Sequence, residues 1–129
     1  IRLSMTAIDG TVVGPGEVFS FNQVVGERTY EKGYRPAPVI VGSSVVDDVG
    51  GGVCQVSSTL YNAVRLAGLE IVERHLHNMS VTYIARGMDA TVAWPDVDFK
   101  FRNNTPWPVI ISAVVDGGQV RTAIIGRKQ

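Results

Sequence analysis

The 129-residue sequence holds a single cysteine, Cys54, and only two histidines, His75 and His77. One thiol cannot close an internal disulfide, so the fold must rest on its apolar core rather than on a covalent staple. Charge of one sign is also lacking. Twelve basic residues cancel twelve acidic ones, which removes the field that would gather a polyanion or an anionic membrane. Nucleic acid is therefore not an expected partner. No apolar run approaches the roughly 18 residues that span a bilayer, so no membrane contact is expected of this stretch itself. The start, Ile1-Arg2-Leu3-Ser4, has no signal-peptide character, and a helical pattern is already under way there. The expectation is one domain, residues 1–129, cut from a longer chain that could carry an anchor. Internal repeats, linkers and low-complexity segments are absent too.

What is present is apolar surface. Hydrophobic residues make up 45% of the chain against 19% charged, enough to offset chain entropy and argue for a folded domain. Ile1, Met5 and Ile8 stand at helical spacing before Gly10, predicting a first helix over residues 1–9. Val18 to Phe21 reads as a short strand, and Asn22 to Pro38 as a surface loop pinned by Tyr30 and Tyr34. Pro38–Val41 and Ser44–Val46 predict a hairpin about Gly42-Ser43. From Val53 to Ala67 the apolar positions 53, 56, 60, 63, 64 and 67 follow the three-and-four spacing of an amphipathic helix, and Gly68 supplies the stop. Strands are expected over Leu69–His77, Ala90–Ala93 and Val97–Phe101. The tail, Val109–Val115 and Val120–Ile125 about Asp116-Gly117-Gly118, has the signature of a hairpin. The fold class is α+β: a central helix led by a Gly-rich turn and packed on a largely antiparallel sheet.

Three consecutive glycines, Gly50 to Gly52, raise the entropic cost of folding and so call for a backbone reason, such as positive φ or a close approach. Placed directly before a helix, Gly51 and Gly52 leave its first N–H groups uncovered. Those donors stabilise an anion, either a Cys54 thiolate or an oxyanion on a substrate. Cys54 lies about 130° from the middle of the apolar stripe at 3.6 residues per turn, with Ser57, Ser58 and Tyr61 beside it. The competing reading is structural, since free cysteine is often buried and glycine triplets occur in ordinary turns.

A thiol nucleophile needs a base, which only His75 or His77 can provide. Two residues apart on a strand, they share a face. A strand returning through the Gly68 turn would bring them back to the start of the cysteine helix. Asp89 is the leading candidate to orient the imidazole, with Asp98 and Asn103 as alternatives. The order of nucleophile helix, histidine strand and following acid resembles that of papain-like and transglutaminase-like enzymes, though Cys54 lacks their usual flanking residues. Against this stands the plain reading of two half-exposed imidazoles at a turn. His-x-His completed by Cys54 or Asp89 would instead suit a metal. Tyr30, Tyr34, Tyr83, Trp94 and Trp107 could stack on sugar rings, and Arg28, Arg35, Arg74 and Arg86 could grip a carboxylate. Core or rim packing is the commoner use of such aromatics, and scattered arginines are usually solvated.

The strings Pro15-Gly16-Glu17-Val18-Phe19-Ser20-Phe21-Asn22, Gly33-Tyr34, Gly50 to Asn62, Glu73-Arg74 with His77, Tyr83, Gly87-Met88-Asp89-Ala90-Thr91-Val92, and Asp98 with Phe101 and Asn103 together resemble the VanW family over nearly the whole chain. Asn78 stands where that family often has serine. The resemblance implies a bacterial cell-envelope protein, outside the cytoplasm, of a family named for an accessory member of vancomycin-resistance clusters. Its pattern maps onto Cys54, Gln55, Ser57, Ser58, Thr59, His77 and Asp89, and favours His77 over His75. The expectation is then a thiol-dependent hydrolase or transferase acting on cell-wall peptide or glycan: Cys54 as nucleophile, His77 as base and then acid, Asp89 as its orienter, and Gln55 or Ser58 helping the helix N–H groups at the oxyanion. Gly51, Gly52, Ser57, Ser58, Tyr61, Tyr34 and His75 are expected to line the binding site. No cofactor or metal is required by this scheme. The alternatives are a non-catalytic envelope-binding or scaffold module, with Tyr30, Tyr34 and Trp94 shaping a groove, and a metal-binding domain using His75 and His77.

Overall fold

The computed structural model describes residues 1–27, 36–41, 44–49, 52–77, 87–117 and 119–127, with the backbone alone for 36–41 and 44–49. Gly50, Gly51, Asn78, Tyr30, Tyr34, Tyr83, Arg28, Arg35 and Arg86 lie outside the described residues.

Helix α1, Arg2–Ile8, buries Ser4, Met5 and Ile8, and the carboxylate of Asp9 just beyond it accepts the Ala113 N–H at 2.8 Å. Strands β1 (Val12–Val13) and β2 (Val18–Ser20) follow. Helix α2, Phe21–Val25, falls in a stretch whose sequence reads as strand and then loop. The signal for it is Ser20, whose hydroxyl accepts the Gln23 N–H at 3.2 Å as an N-cap. The hairpin β3 (Pro36–Val41) and β4 (Ser44–Val49) pairs antiparallel with Val41 opposite Ser44, longer than expected at both ends. Helix α3, Val53–Leu66, closes at Gly68, which has φ +76°.

Three expected strands come out shorter. β5 covers Glu70–Glu73 only, so His75 and His77 stand beyond it. β6 is Lys100–Arg102, and Ala90–Ala93 makes only an isolated bridge from Ala93 to Val97. The physical reason is competition for backbone groups. Ala90 exchanges its N–H and carbonyl with the Ser57 and Ser58 hydroxyls instead of a neighbouring strand. The Asp98 N–H likewise goes to the Glu73 carboxylate, 3.2 Å away. The long tail hairpin, β7 (Val109–Asp116) and β8 (Gln119–Gly126), forms as its alternation predicts.

The strands form two three-stranded antiparallel sheets, ordered β1-β7-β8 and β2-β6-β5, beside the β3–β4 hairpin. Helix α3 is central because it packs on β8 of the first sheet and β5 of the second. Thr122 of β8 also donates its hydroxyl to the Thr59 carbonyl at 2.9 Å. Phe19, Phe99, Phe101 and Tyr61 fill the space between helix and second sheet. Phe19 stacks on Phe101 at 5.1 Å between centroids, and Tyr61 meets Phe99 edge-on at 5.9 Å. Such pairs add a directional preference to the apolar burial that drives collapse.

Candidate active site

The site is built at the first turn of α3. Gly52 is the N-cap, in the left-handed region at φ 92°, and no side chain caps the helix start. Cys54 is therefore delivered into the first turn, where the dipole favours negative charge. A Cβ at Gly52 would stand 2.9 Å from Cγ1 of Ile1 and would require a residue with a side chain to hold positive φ. Gly52→Ala is expected to destabilise the fold by about 1–2 kcal/mol, read as a lower urea midpoint with unchanged slope.

Past β5 the chain leaves the sheet as a coil from Arg74 to His77. His75 and His77 then diverge. His75 is exposed and its Nε2 pairs with Glu73 at 2.9 Å. His77 turns inward, its side chain only 7% exposed, and its Nδ1 lies 2.6 Å from Oδ2 of Asp89. The same oxygen accepts the His77 main-chain N–H at 2.7 Å. The imidazole is also hydrogen-bonded to the Cys54 thiol. With Nδ1 engaged by Asp89, Nε2 is the nitrogen left for the sulfur. His77 thus joins Cys54 to Asp89.

The segment Gly87 to Val92 supplies the other wall. Thr91 Oγ1 lies 3.3 Å from the Cys54 sulfur, and the Val92 N–H and carbonyl are each 3.4 Å from it. One face of α3 grips this segment. Ser57 donates to the Ala90 carbonyl at 2.5 Å and Ser58 at 3.2 Å, Ser58 accepts the Ala90 N–H at 2.8 Å, and Asn62 donates to the Met88 carbonyl at 2.8 Å. Arg74 also donates to the carbonyls of Asp89 and Gly87, at 3.0 and 2.5 Å, while its guanidinium lies 4.1 Å over the Tyr61 ring of α3.

Ser57, Ser58 and Tyr61 are therefore buried, and both serine hydroxyls are committed to Ala90. The polar strip beside the cysteine faces protein, and its geometry is that of a clamp. Gln55 is half-buried at the third helical position. Asp98 is occupied elsewhere, accepting from the Ser20 hydroxyl and the Asn22 and Phe99 N–H groups. Asn103 donates to the carbonyls of Val13 and Trp107. Neither alternative orienter reaches His77 through these bonds, and Asp89 does. Trp94 is exposed, while Trp107 carries the Arg127 guanidinium 4.1 Å over its ring. Among the described residues no group of three His, Cys, Asp or Glu side chains could hold a metal.

Thr91 was legible in principle: on extended backbone residues two apart share a face, which sets Thr91 beside Asp89. Arg74 as a clamp had no such signal, since its acceptors are main-chain carbonyls.

The electrostatics move a proton from sulfur toward ring. Burial pushes the Cys54 thiol up, but hydrogen bonds with His77, Thr91 and Val92 and the imidazolium charge outweigh it and hold the thiol below its ordinary range. His77 is raised, first by its bond to Cys54, against burial and with help from Asp89. Burial raises Asp89, yet the N–H groups of His77 and its charge bring the carboxyl below the usual range. Both shifts run toward a thiolate beside an imidazolium with a carboxylate behind it, the arrangement of a nucleophile with an acid next to it.

Fold and site together define a class: an α+β domain with a cysteine at a helix start, a histidine against it and an aspartate behind. The chain belongs to the VanW family, whose model, described as VanW like protein, matches residues 1–125. It is 55% identical over 120 residues to the uncharacterized protein YoaR of Bacillus subtilis, an alignment covering 93% of this chain and 40% of that protein. It is 25% identical over 134 residues to the vancomycin B-type resistance protein VanW of Enterococcus faecalis, covering 100% of this chain and 49% of the relative. The chain thus spans less than half the length of these relatives. No solved structure matches it, and the papain-like order of elements remains a likeness read from sequence.

Proposed function

We propose that this domain is a thiol-dependent acyl hydrolase or transferase of the bacterial cell envelope, acting on the peptide part of peptidoglycan or a related wall polymer. The observation that carries the chemistry is His77, held between the Cys54 sulfur and Oδ2 of Asp89. The envelope setting is supported by membership of a family with a relative named for vancomycin resistance.

In this reading the Cys54 thiolate attacks the amide carbonyl carbon, a C–S bond forms and the carbonyl π pair moves onto oxygen. The uncapped first turn of α3 offers that oxyanion its N–H groups, with Gln55 beside them. As the oxyanion collapses the C–N bond breaks, and the His77 imidazolium gives its proton to the leaving amine. Water or a second amine, losing its proton to His77, then attacks the thioester and releases the thiolate. Asp89 holds the ring in the tautomer that keeps Nε2 toward sulfur.

The test is intact-mass spectrometry of the domain mixed with purified wall muropeptides. An acyl adduct on Cys54, absent from Cys54→Ala, is expected together with peptide exchange or cleavage. Muropeptide binding with neither adduct nor product in the wild type would make the domain a wall-binding module and sink the catalytic reading.

A further inference from the structure

The Thr91 hydroxyl has a place at the sulfur that the scheme above does not use. Its oxygen lies 3.3 Å from Cys54 Sγ, and the backbone that carries it is held on both sides. The Thr91 N–H donates to the His75 carbonyl at 2.8 Å. Ala90 before it is clamped by Ser57 and Ser58, and the Val92 N–H after it points at the same sulfur from 3.4 Å. Ala90 and Val92 are buried, so the segment has little freedom to turn Thr91 away. A hydroxyl can donate to an ionised sulfur, which has no proton to offer in return.

We propose that Thr91 is a catalytic hydrogen-bond donor to the Cys54 thiolate, which sets the balance between how much of the sulfur is ionised and how strongly it attacks. The proposal rests on reading Cys54 as the nucleophile. A donor that stabilises the thiolate enlarges the ionised fraction at low pH, and the same stabilisation lowers the intrinsic nucleophilicity of each thiolate, since reactivity rises with thiol basicity at a slope of about 0.4–0.5. Among the described residues the titratable groups facing the sulfur are His77 from the coil after β5 and, behind it, Asp89 from the 87–92 segment. The first residue of the chain, Ile1, lies by Gly52. The Arg74 guanidinium is engaged by Gly87, Asp89 and Tyr61.

The isosteric Thr91→Val keeps the volume and removes the donor; Thr91→Ser restores it. The experiment is the rate of Cys54 alkylation by iodoacetamide from pH 4 to pH 10 in the wild type and both variants, with folding checked by far-UV circular dichroism. For Thr91→Val the acid limb should move up by about one pH unit, as expected for losing one hydrogen bond to a charge, and the rate there should fall about threefold, because the ionised fraction drops about tenfold while each thiolate attacks about threefold faster. The alkaline plateau should rise about threefold, so the two profiles cross. Thr91→Ser should follow the wild type. Profiles that coincide overturn the proposal, and so does a folded Thr91→Val that is slower at every pH, because a purely structural role predicts no crossing. A wild-type Cys54 that reacts like a free thiol instead removes the nucleophile reading itself, so the two failures are distinct.

Discussion

Cys54 should react with iodoacetamide at pH 6 at least about tenfold faster than a free thiol such as glutathione, and His77→Ala should abolish most of that advantage. A free thiol is ionised to well under 1% at this pH, roughly 0.3% for a value near 8.5. The lower basicity of Cys54 removes part of the gain from its larger thiolate fraction, but only about half of it on a logarithmic scale. The pH dependence follows from the directions of the shifts. As pH falls, the rate drops when the sulfur regains its proton, below the range where ordinary thiols do so because Cys54 is lowered. As pH rises through the raised value of His77, the imidazolium is lost. Alkylation, which needs only the thiolate, then continues. Acyl transfer, which needs the imidazolium as acid, declines. Enzymatic turnover is therefore expected to be bell-shaped where alkylation is a single rise. Stopped-flow alkylation across pH tests the first statement and muropeptide turnover the second; a Cys54 rate equal to that of glutathione in the wild type would remove the ion pair.

Asp98→Ala is expected to be the most damaging single change away from the sulfur, costing about 3–5 kcal/mol. Asp98 is 5% exposed, and its two oxygens accept the Ser20 hydroxyl, the Asn22 N–H at 2.8 Å and the Phe99 N–H at 2.8 Å. Alanine strands these donors, each at about 1–3 kcal/mol when buried. The damage extends beyond one residue. Ser20 caps α2, and the Asn22 side chain donates to the carbonyls of Ala93 and Val97 at 3.2 and 2.9 Å, so Asp98 joins helix α2, the 93–97 turn and the entry to β6. Asp98→Asn keeps one acceptor oxygen and should lose roughly half as much. Urea unfolding of the two variants measures the difference, and equal losses would show that cavity formation rather than stranded donors dominates.

Much of the architecture is legible in local pattern. The apolar spacing from Val53 to Ala67 predicts α3 to within one residue of its observed end at Leu66, and two runs of strand-forming residues about Asp116-Gly117-Gly118 predict the β7–β8 hairpin. Helix period and turn chemistry are local properties that a short window of sequence displays. Where the sequence misleads, side chains have taken over backbone hydrogen bonds. Ala90–Ala93 reads as a strand from its residue types, yet Ser57 and Ser58 satisfy Ala90. Leu69–His77 reads as one strand, yet Arg74 leaves the sheet for the carbonyls of Gly87 and Asp89. Ser20 caps a helix in what reads as a loop.

The site divides the same way. By itself the sequence determined that any thiol nucleophile must be Cys54 and any imidazole base one of two residues, because it contains no other thiol or imidazole, and that glycines lead the helix that carries the thiol. The resemblance to the VanW family favours His77, but only the tertiary structure gives a physical reason for separating the two histidines. His75 and His77 differ by two positions, and nothing local separates a ring that meets Glu73 in solvent from one that is buried against Asp89 and a sulfur. That choice depends on where residues 87–92 lie, and their position is set by α3, through Ser57, Ser58 and Asn62, together with Arg74. These are contacts between segments as many as 33 residues apart, which the order of residues cannot show until the chain has folded.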